Sequence, residues 1–100
     1  MRTEFDWDPN KAATNLANHN VTFDEAISVF EDPLALSTLD QFGSGGEERW
    51  VTIGMSGASR LLLVVHTHIE VSADVVYIRI ISARVPTKRE IRDYQDGSNG

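Results

Sequence analysis

The sequence of 100 residues contains no cysteine. This absence excludes a disulfide scaffold, a zinc ribbon and a thiol nucleophile. Long apolar runs are also missing, because the longest, residues 61–65, is far too short to cross a bilayer. Residues 1–10 are acidic and mixed in character, so we expect no signal peptide, no membrane partner and a cytoplasmic location.

Positive charge is scarce, since nine Lys and Arg residues stand against fifteen Asp and Glu residues and the net charge is −6. Residues 1–50 hold three Lys and Arg against ten Asp and Glu, whereas residues 51–100 hold six against five. A general polyanion binder is normally basic. Any contact with nucleic acid is therefore expected to use a local cluster, most plausibly the five Lys and Arg residues within 79–92. The alternative is that these residues form a solvated basic face.

The composition is that of an ordinary globular protein, with 41% hydrophobic and 24% charged residues. A chain of this length can bury about two-thirds of its unfolded surface, which is enough for one core. No internal repeat or long linker divides it. We therefore expect one domain over residues 1–95 and a disordered tail over residues 96–100.

Capping signals predict two helices in the first third of the chain. Asp8 followed by Pro9 favours a helix start, and the helix is expected over residues 9–18. Thr22 with Glu25 forms a capping-box pattern that opens a second helix, which ends before Pro33. This second helix carries apolar residues at helical spacing, namely Phe23, Ala26, Ile27 and Phe30.

The remaining segments predict strands and a last helix. A short edge strand is expected at residues 3–7, and further strands at 34–39, 47–55, 60–70 and 74–83, with a glycine-rich loop at 43–46. Thr87 with Glu90 repeats the capping-box spacing and opens a C-terminal helix. The order predicts an α+β fold: a short strand, two helices, a three- to four-stranded and mainly antiparallel sheet, and one helix. All helices are expected on one face of the sheet.

Three polar residues, Lys11, Asn15 and His19, are spaced four apart and form one line on the first helix. This line is opposite the small apolar side formed by Ala12, Ala13, Leu16 and Ala17, so it is expected to point away from the core or toward a groove. A lysine supplies positive charge, an asparagine orients a ligand, and a histidine moves protons near neutral pH. The alternative is the wet face of an amphipathic helix.

His66 and His68 are two apart on a predicted strand and share a face with Glu70. Such a pair can contribute to a zinc site, but a site needs a third or fourth ligand, and nothing else in the sequence demands a metal. The favoured alternatives are a cross-strand polar patch or one histidine at a catalytic groove.

Arg79 and Arg84 are expected on opposite faces of the last strand, provided that the strand is regular. A guanidinium is costly to bury unless it is paired or lines a site, and its geometry fits a phosphate. Both residues are therefore candidate anion ligands, with ion pairs to Glu47, Glu48 or Glu70 as the alternative. The glycine-rich loop at 43–46 lacks a following Lys-Ser/Thr and is not a phosphate loop.

Ordered motifs over residues 5–94 resemble the BrnT family, the toxins of BrnT/BrnA type II toxin–antitoxin systems. The matching positions are Trp7-Asp8, Lys11, Asn15, His19, residues 22–26, Phe30 with Asp32-Pro33, residues 47–49, residues 79–84, and Glu90 with Tyr94. The resemblance implies a RelE-like fold and an endoribonuclease that cleaves RNA to arrest translation and growth. It also implies neutralisation by a BrnA-like ribbon-helix-helix antitoxin, through which alone operator DNA is bound. The alternative is a catalytically weak homologue that acts as a protein-binding module.

Metal-free RNA cleavage requires a base, an acid and cations around the phosphate. Our hypothesis assigns proton transfer to His19 or His66, with Glu48 as another candidate base, and involves no cofactor. The phosphate is expected to lie among Lys11, Arg49, Arg79 and Arg84, and further RNA contacts are expected from Asn15, Lys88 and Arg89.

Overall fold

The computed structural model describes residues 2–40 and 48–99, so the glycine-rich segment at 43–46 and Glu47 lie outside the described residues. The elements follow in this order: β1 (Arg2–Trp7), α1 (Pro9–His19), α2 (Phe23–Ser28), a 3₁₀ turn (Val29–Glu31), β2 (Leu36–Asp40), β3 (Arg49–Met55), β4 (Leu61–His66), β5 (Ile69–Glu70), β6 (Val75–Arg84) and α3 (Lys88–Asn99). Within the described residues, no helix combines the length and apolar character that a membrane span requires.

The strands form one sheet in the order β1-β6-β4-β3-β2, with β5 also paired to β6. Strand β1 runs parallel to β6, and the other pairs are antiparallel. The α+β class is confirmed, and the sheet has six strands where we expected a short N-terminal strand and a three- to four-stranded sheet. One cause is that the strand expected over 60–70 divides after His66, where the Thr67 hydroxyl instead accepts the Arg79 N–H at 3.1 Å.

The helix ends follow the local signals. The Asp8 carboxylate accepts the Asn10 N–H at 2.8 Å, and Asn20 ends α1 in the left-handed conformation with φ 55°. Thr22 accepts the Glu25 N–H at 3.1 Å, but the Glu25 side chain bonds Arg60 in place of closing the capping box. The last helix continues to Asn99, so the tail predicted as disordered is helical over 96–99. Extension of a formed helix costs much less than its nucleation, which lets weak helix formers follow the preceding turns.

The core lies between α2 and one face of the sheet. Phe23, Ala26 and Val29 of α2 and the turn after it pack against alternate residues of β4 and β6, including Leu62 and Ile80. Helix α3 does not share this face. Its Tyr94 lies beside Ile53 and Leu63, whose register places them on the opposite face, so the prediction of all helices on one face is wrong for α3.

A β-bulge changes which side chains of β6 share a face. His66 is opposite Ile80 whereas Val65 is opposite Ser82, so Ile81 is an extra residue in the ladder. The extra residue reverses the alternation, and Arg79 and Arg84 therefore lie on the same face. Our prediction of opposite faces assumed a regular strand and is wrong for that reason.

Candidate functional site

The Asn15 side chain joins α1 by hydrogen bonds to the part of β6 that lies beyond its pairing with β1. Strand β1 pairs with β6 only as far as Ile80, which leaves the edge of β6 unpaired beyond that residue. The Asn15 amide fills this place: its Oδ1 accepts the Ala83 N–H at 3.0 Å, and its Nδ2 donates to the Ala83 carbonyl at 2.9 Å. Nδ2 also donates to the Val21 carbonyl at 3.0 Å. A side chain thus completes the hydrogen bonding that a neighbouring strand would provide.

The one buried residue of α1 is therefore a polar one, Asn15. Asn15 is 5% exposed, whereas Leu16 is 46% exposed and Ala13 and Ala17 are also exposed. The expectation that the alanine side faces the core holds for Ala12, which packs against the core, and is wrong for Ala13, Leu16 and Ala17. The unpaired peptide groups of β6 need partners more than a few methyl groups need burial. Both N–H groups of the Asn15 amide are occupied, so its expected role as an RNA contact gives way to an anchoring one.

Lys11 and His19 lie one helical turn before and after Asn15, and both are exposed. They line a groove of about 330 Å³ between α1 and β6. The other lining residues, all polar apart from Ile81, are Asn10, Thr14, Asn15, Asn18, Ile81 and Ser82. No carboxylate is among them, although the chain carries fifteen. Within residues 2–40 and 48–99, neither Lys11 nor His19 has an ion-pair or hydrogen-bond partner for its side chain.

The two strand arginines are each paired with a carboxylate. Arg79 Nε lies 3.1 Å from Asp6 Oδ1, and the hydrogen bond from Arg79 lowers the pKa of Asp6. Arg84 makes a two-pronged pair with Glu90, with both N–O distances at 2.9 Å. The Arg84 guanidinium lowers the pKa of Glu90 to about 2. The partners are therefore Asp6 and Glu90, not the Glu48 or Glu70 that we considered.

His66 is 2% exposed and packs edge-to-face against Phe30, with the two ring centroids 4.8 Å apart. Its Nδ1 is 2.8 Å from the Thr67 carbonyl, and its Nε2 is 2.6 Å from Thr52 Oγ1. A carbonyl oxygen only accepts, so Nδ1 carries the proton and Nε2 accepts from Thr52. Burial lowers the pKa of His66, which favours this neutral form. Neither ring nitrogen is open to a substrate, so of the two histidines assigned to proton transfer, a substrate can reach only the exposed His19.

The other candidates are dispersed. Glu48 is exposed beside the start of β3, and Arg49 is half-buried within it, its Nε buried without a hydrogen-bond partner in the described part of the chain. Lys88 and Arg89 are exposed on the first turn of α3. The groove thus unites Lys11, Asn15 and His19, and the structure does not bring the full predicted set around one hollow. In the described ranges, no three His, Asp or Glu side chains are grouped so as to hold a metal ion.

Sequence reasoning overlooked Thr14, Asn18 and Ser82 as groove residues. Thr14 and Asn18 are three and seven positions after Lys11, so helical spacing alone could have placed them beside it. Ser82 had no such signal, because its approach to α1 depends on the bulge and on the bonds from Asn15 to Ala83.

The fold matches that of a known ribonuclease toxin. The crystal structure of the Brucella abortus ribonuclease toxin BrnT is similar with a TM-score of 0.57, over 88% of this chain and 100% of that one, at 18% identity. This similarity defines the class of fold: a small α+β domain.

The family is shown by the sequence. Residues 7–90 match the model of the family described as the ribonuclease toxin, BrnT, of type II toxin–antitoxin systems. The chain belongs to this family, which confirms the resemblance found in its motifs. No protein with a curated description matches the chain.

Proposed function

We propose that this protein is an endoribonuclease that cleaves RNA in the groove between α1 and β6 without a metal ion, and that this cleavage arrests translation and growth. The observation that carries the proposal is the charge of the groove. In a chain of net charge −6, Lys11 and His19 line a surface depression free of carboxylates. An RNA backbone is repelled by most of such a molecule and is tolerated where carboxylates are absent.

The two side chains have complementary roles in this proposal. Lys11 binds a backbone phosphate and offsets the negative charge that develops during cleavage, since an ammonium is a compact donor that no carboxylate here neutralises. His19 transfers protons, either from the attacking 2′-hydroxyl or to the leaving 5′-oxygen. Their Cα atoms are about 12 Å apart along the helix axis, so RNA would lie along α1 instead of across it.

Asn15 holds this arrangement in place. It bonds β6 between the two functional residues, and it fixes the angle at which α1 lies over Ile81 and Ser82. A displaced helix would separate His19 from the floor of the groove. Asn15 is therefore a positioning residue in the proposal, not a ligand.

The partner that we propose is a BrnA-like antitoxin with a ribbon-helix-helix part, through which the complex binds operator DNA. Membership of a type II family implies an antitoxin in general. The ten carboxylates of residues 1–50 suit a basic segment of that partner, because opposite charges steer association and fix register.

A second candidate function is supported by the ion pairs of Arg79 and Arg84. These arginines are paired with Asp6 and Glu90, so a carboxylate offsets part of the charge that each would offer to a phosphate. Among the described residues that line the groove, Lys11 is the only Lys or Arg, and such a chain would serve mainly as a protein-binding module in a repressor complex.

Expression of the chain alone separates the two functions. The enzyme predicts growth arrest with RNA breakdown, and cleavage of single-stranded RNA that persists with a chelator present. Lys11→Ala should remove most of the activity, whereas Arg92→Ala, which removes an exposed cation from α3, should keep it. Harmless expression together with tight binding of a co-encoded small protein would favour the module instead.

A further inference from the structure

A second concave site lies against strands β2, β3, β4 and β6, and it shares no lining residue with the groove of α1. Trp50, His66 and His68 line it together with Phe30, Ser37 and Ile78. Four of these six side chains are aromatic rings, and none carries a carboxylate. The Trp50 and His68 rings are 6.0 Å apart between centroids and inclined by 52°. His68 is exposed, so one wall of this aromatic pocket is open to solvent.

The polar atoms of the aromatic pocket have defined directions. Because His66 Nδ1 donates its proton to the Thr67 carbonyl, Nε2 of the neutral ring carries no proton. Nε2 therefore accepts the only hydroxyl hydrogen of Thr52. The Ser37 hydroxyl, 2.6 Å from Thr52 Oγ1, must then donate to Thr52, which leaves the lone pairs of Ser37 Oγ as acceptors. Trp50 Nε1 is buried and has no hydrogen-bond partner in the described part of the chain. Among the residues that line the aromatic pocket, Trp50 thus carries an unused donor and Ser37 an unused acceptor.

The size of the aromatic pocket limits its ligand. Its volume of about 220 Å³ lies below the range of roughly 300–1,000 Å³ that is usual for drug-sized ligands. A single planar ring system fits such a space, whereas a whole nucleotide does not. Nucleobases have the matching properties, because they stack on aromatic side chains and carry donors and acceptors along one edge.

We propose that the aromatic pocket binds one unstacked nucleobase, which stacks against Trp50 and His68 and exchanges hydrogen bonds with Trp50 Nε1 and Ser37 Oγ. The inference rests on the proposed function to the extent that RNA supplies the base. It adds a base-binding subsite separate from the cleavage groove. Stacking tolerates every base, so the subsite would add affinity for single-stranded RNA more than sequence preference.

The test uses tryptophan fluorescence of the full chain with Trp7→Phe, so that Trp50 is the single reporter. Adenosine, guanosine, cytidine and uridine are each titrated, and ribose 5-phosphate serves as a probe with sugar and phosphate but no base. We expect saturable quenching by nucleosides and none by ribose 5-phosphate. His68→Ala should weaken nucleoside binding at least about fivefold, the lower limit of the stacking contribution of one base. Ser37→Ala should also weaken it, and His19→Ala should not.

Several results would overturn the inference: no saturable quenching by any nucleoside, equal quenching by ribose 5-phosphate, or binding unaffected by both His68→Ala and Ser37→Ala. Failure of the proposed function is a separate result. A chain that binds nucleosides but cleaves no RNA would refute the nuclease and keep the base-binding subsite. A chain that cleaves RNA but binds no nucleoside would refute the base-binding subsite and keep the nuclease.

Discussion

Asn15→Ala is the substitution whose cost follows most directly from the structure. It removes three hydrogen bonds and leaves the Val21 carbonyl and both peptide groups of Ala83 without partners at a buried position. Each orphaned group costs about 1–3 kcal/mol. At the lower limit the sum is about 3 kcal/mol, from which the better helix propensity of alanine returns roughly 0.6 kcal/mol. We expect the free energy of unfolding to fall by about 2.5 kcal/mol, a large share of the 5–15 kcal/mol typical of a domain.

The measurement is urea or thermal unfolding, and this loss corresponds to a drop in Tm of roughly 10–20 °C for a chain of this length. Asn18→Ala is the matched control, because Asn18 is an exposed amide on the same helix. It should leave the stability unchanged or slightly higher. Asn15→Ala with normal stability but weakened RNA binding would refute the anchoring role and restore Asn15 as a ligand.

Three further predictions concern stability. Gly54→Ala should destabilise the protein by about 1–3 kcal/mol in urea unfolding, because a Cβ there would meet side-chain atoms of Ala35 and Val29 at 3.0 Å; an unchanged midpoint would contradict this packing. Glu90, with its pKa lowered to about 2 from 4.5, stabilises the fold above pH 4.5 and loses that effect as the pH falls toward 2. The difference in unfolding free energy between wild type and Glu90→Gln should therefore shrink on acidification, and a constant difference would count against the Arg84 pair. Tyr94→Phe removes the hydroxyl that donates to Asp32 at 2.9 Å and should cost about 0.5–1.5 kcal/mol, measured the same way, while equal stability would show that this bond adds nothing.

The helix boundaries were predictable because their determinants are local. Asp8, Asn20 and Thr22 act on residues within four positions, and the sequence shows these relations directly. The sheet also followed from apolar segments and turns in its main strands. Its parallel edge could not be predicted, because the pairing of β1 with β6 joins residues more than seventy positions apart.

The candidate site was predictable only in part. The spacing of Lys11 and His19 placed both on one helix face, but the packing of that face depends on Asn15 meeting an unpaired strand edge. The face of the sheet on which Arg84 lies depends on Ile81, the extra residue where β6 pairs with β4. The local sequence contains no signal for this bulge. The partner of Arg79 is Asp6, 73 positions away, and an acidic chain offers many alternatives.

The long-range ion pair of Glu25 and Arg60 illustrates the same limit. Glu25 has the position of a capping-box residue, and local reasoning assigned its carboxylate to Thr22. The carboxylate instead bonds Arg60 through two contacts of 2.7 Å, and Ser56 donates to it at the same distance. Two hydrogen bonds from a charged guanidinium stabilise the Glu25 carboxylate more than one hydrogen bond from a backbone N–H would. Only the folded chain brings Arg60 close enough to make them.

The rate of RNA cleavage by His19→Ala tests the central claim most directly. It is measured under single-turnover conditions with saturating single-stranded RNA and a chelator, and unfolding measurements verify that the variant is folded. The account predicts a rate lower by a factor of roughly 10²–10⁴, the usual contribution of a proton-transfer group, with Arg79→Ala much less affected because Asp6 holds that arginine. Wild-type cleavage by His19→Ala, or a larger loss in Arg79→Ala, would contradict the assignment of the groove between α1 and β6 as the site of cleavage.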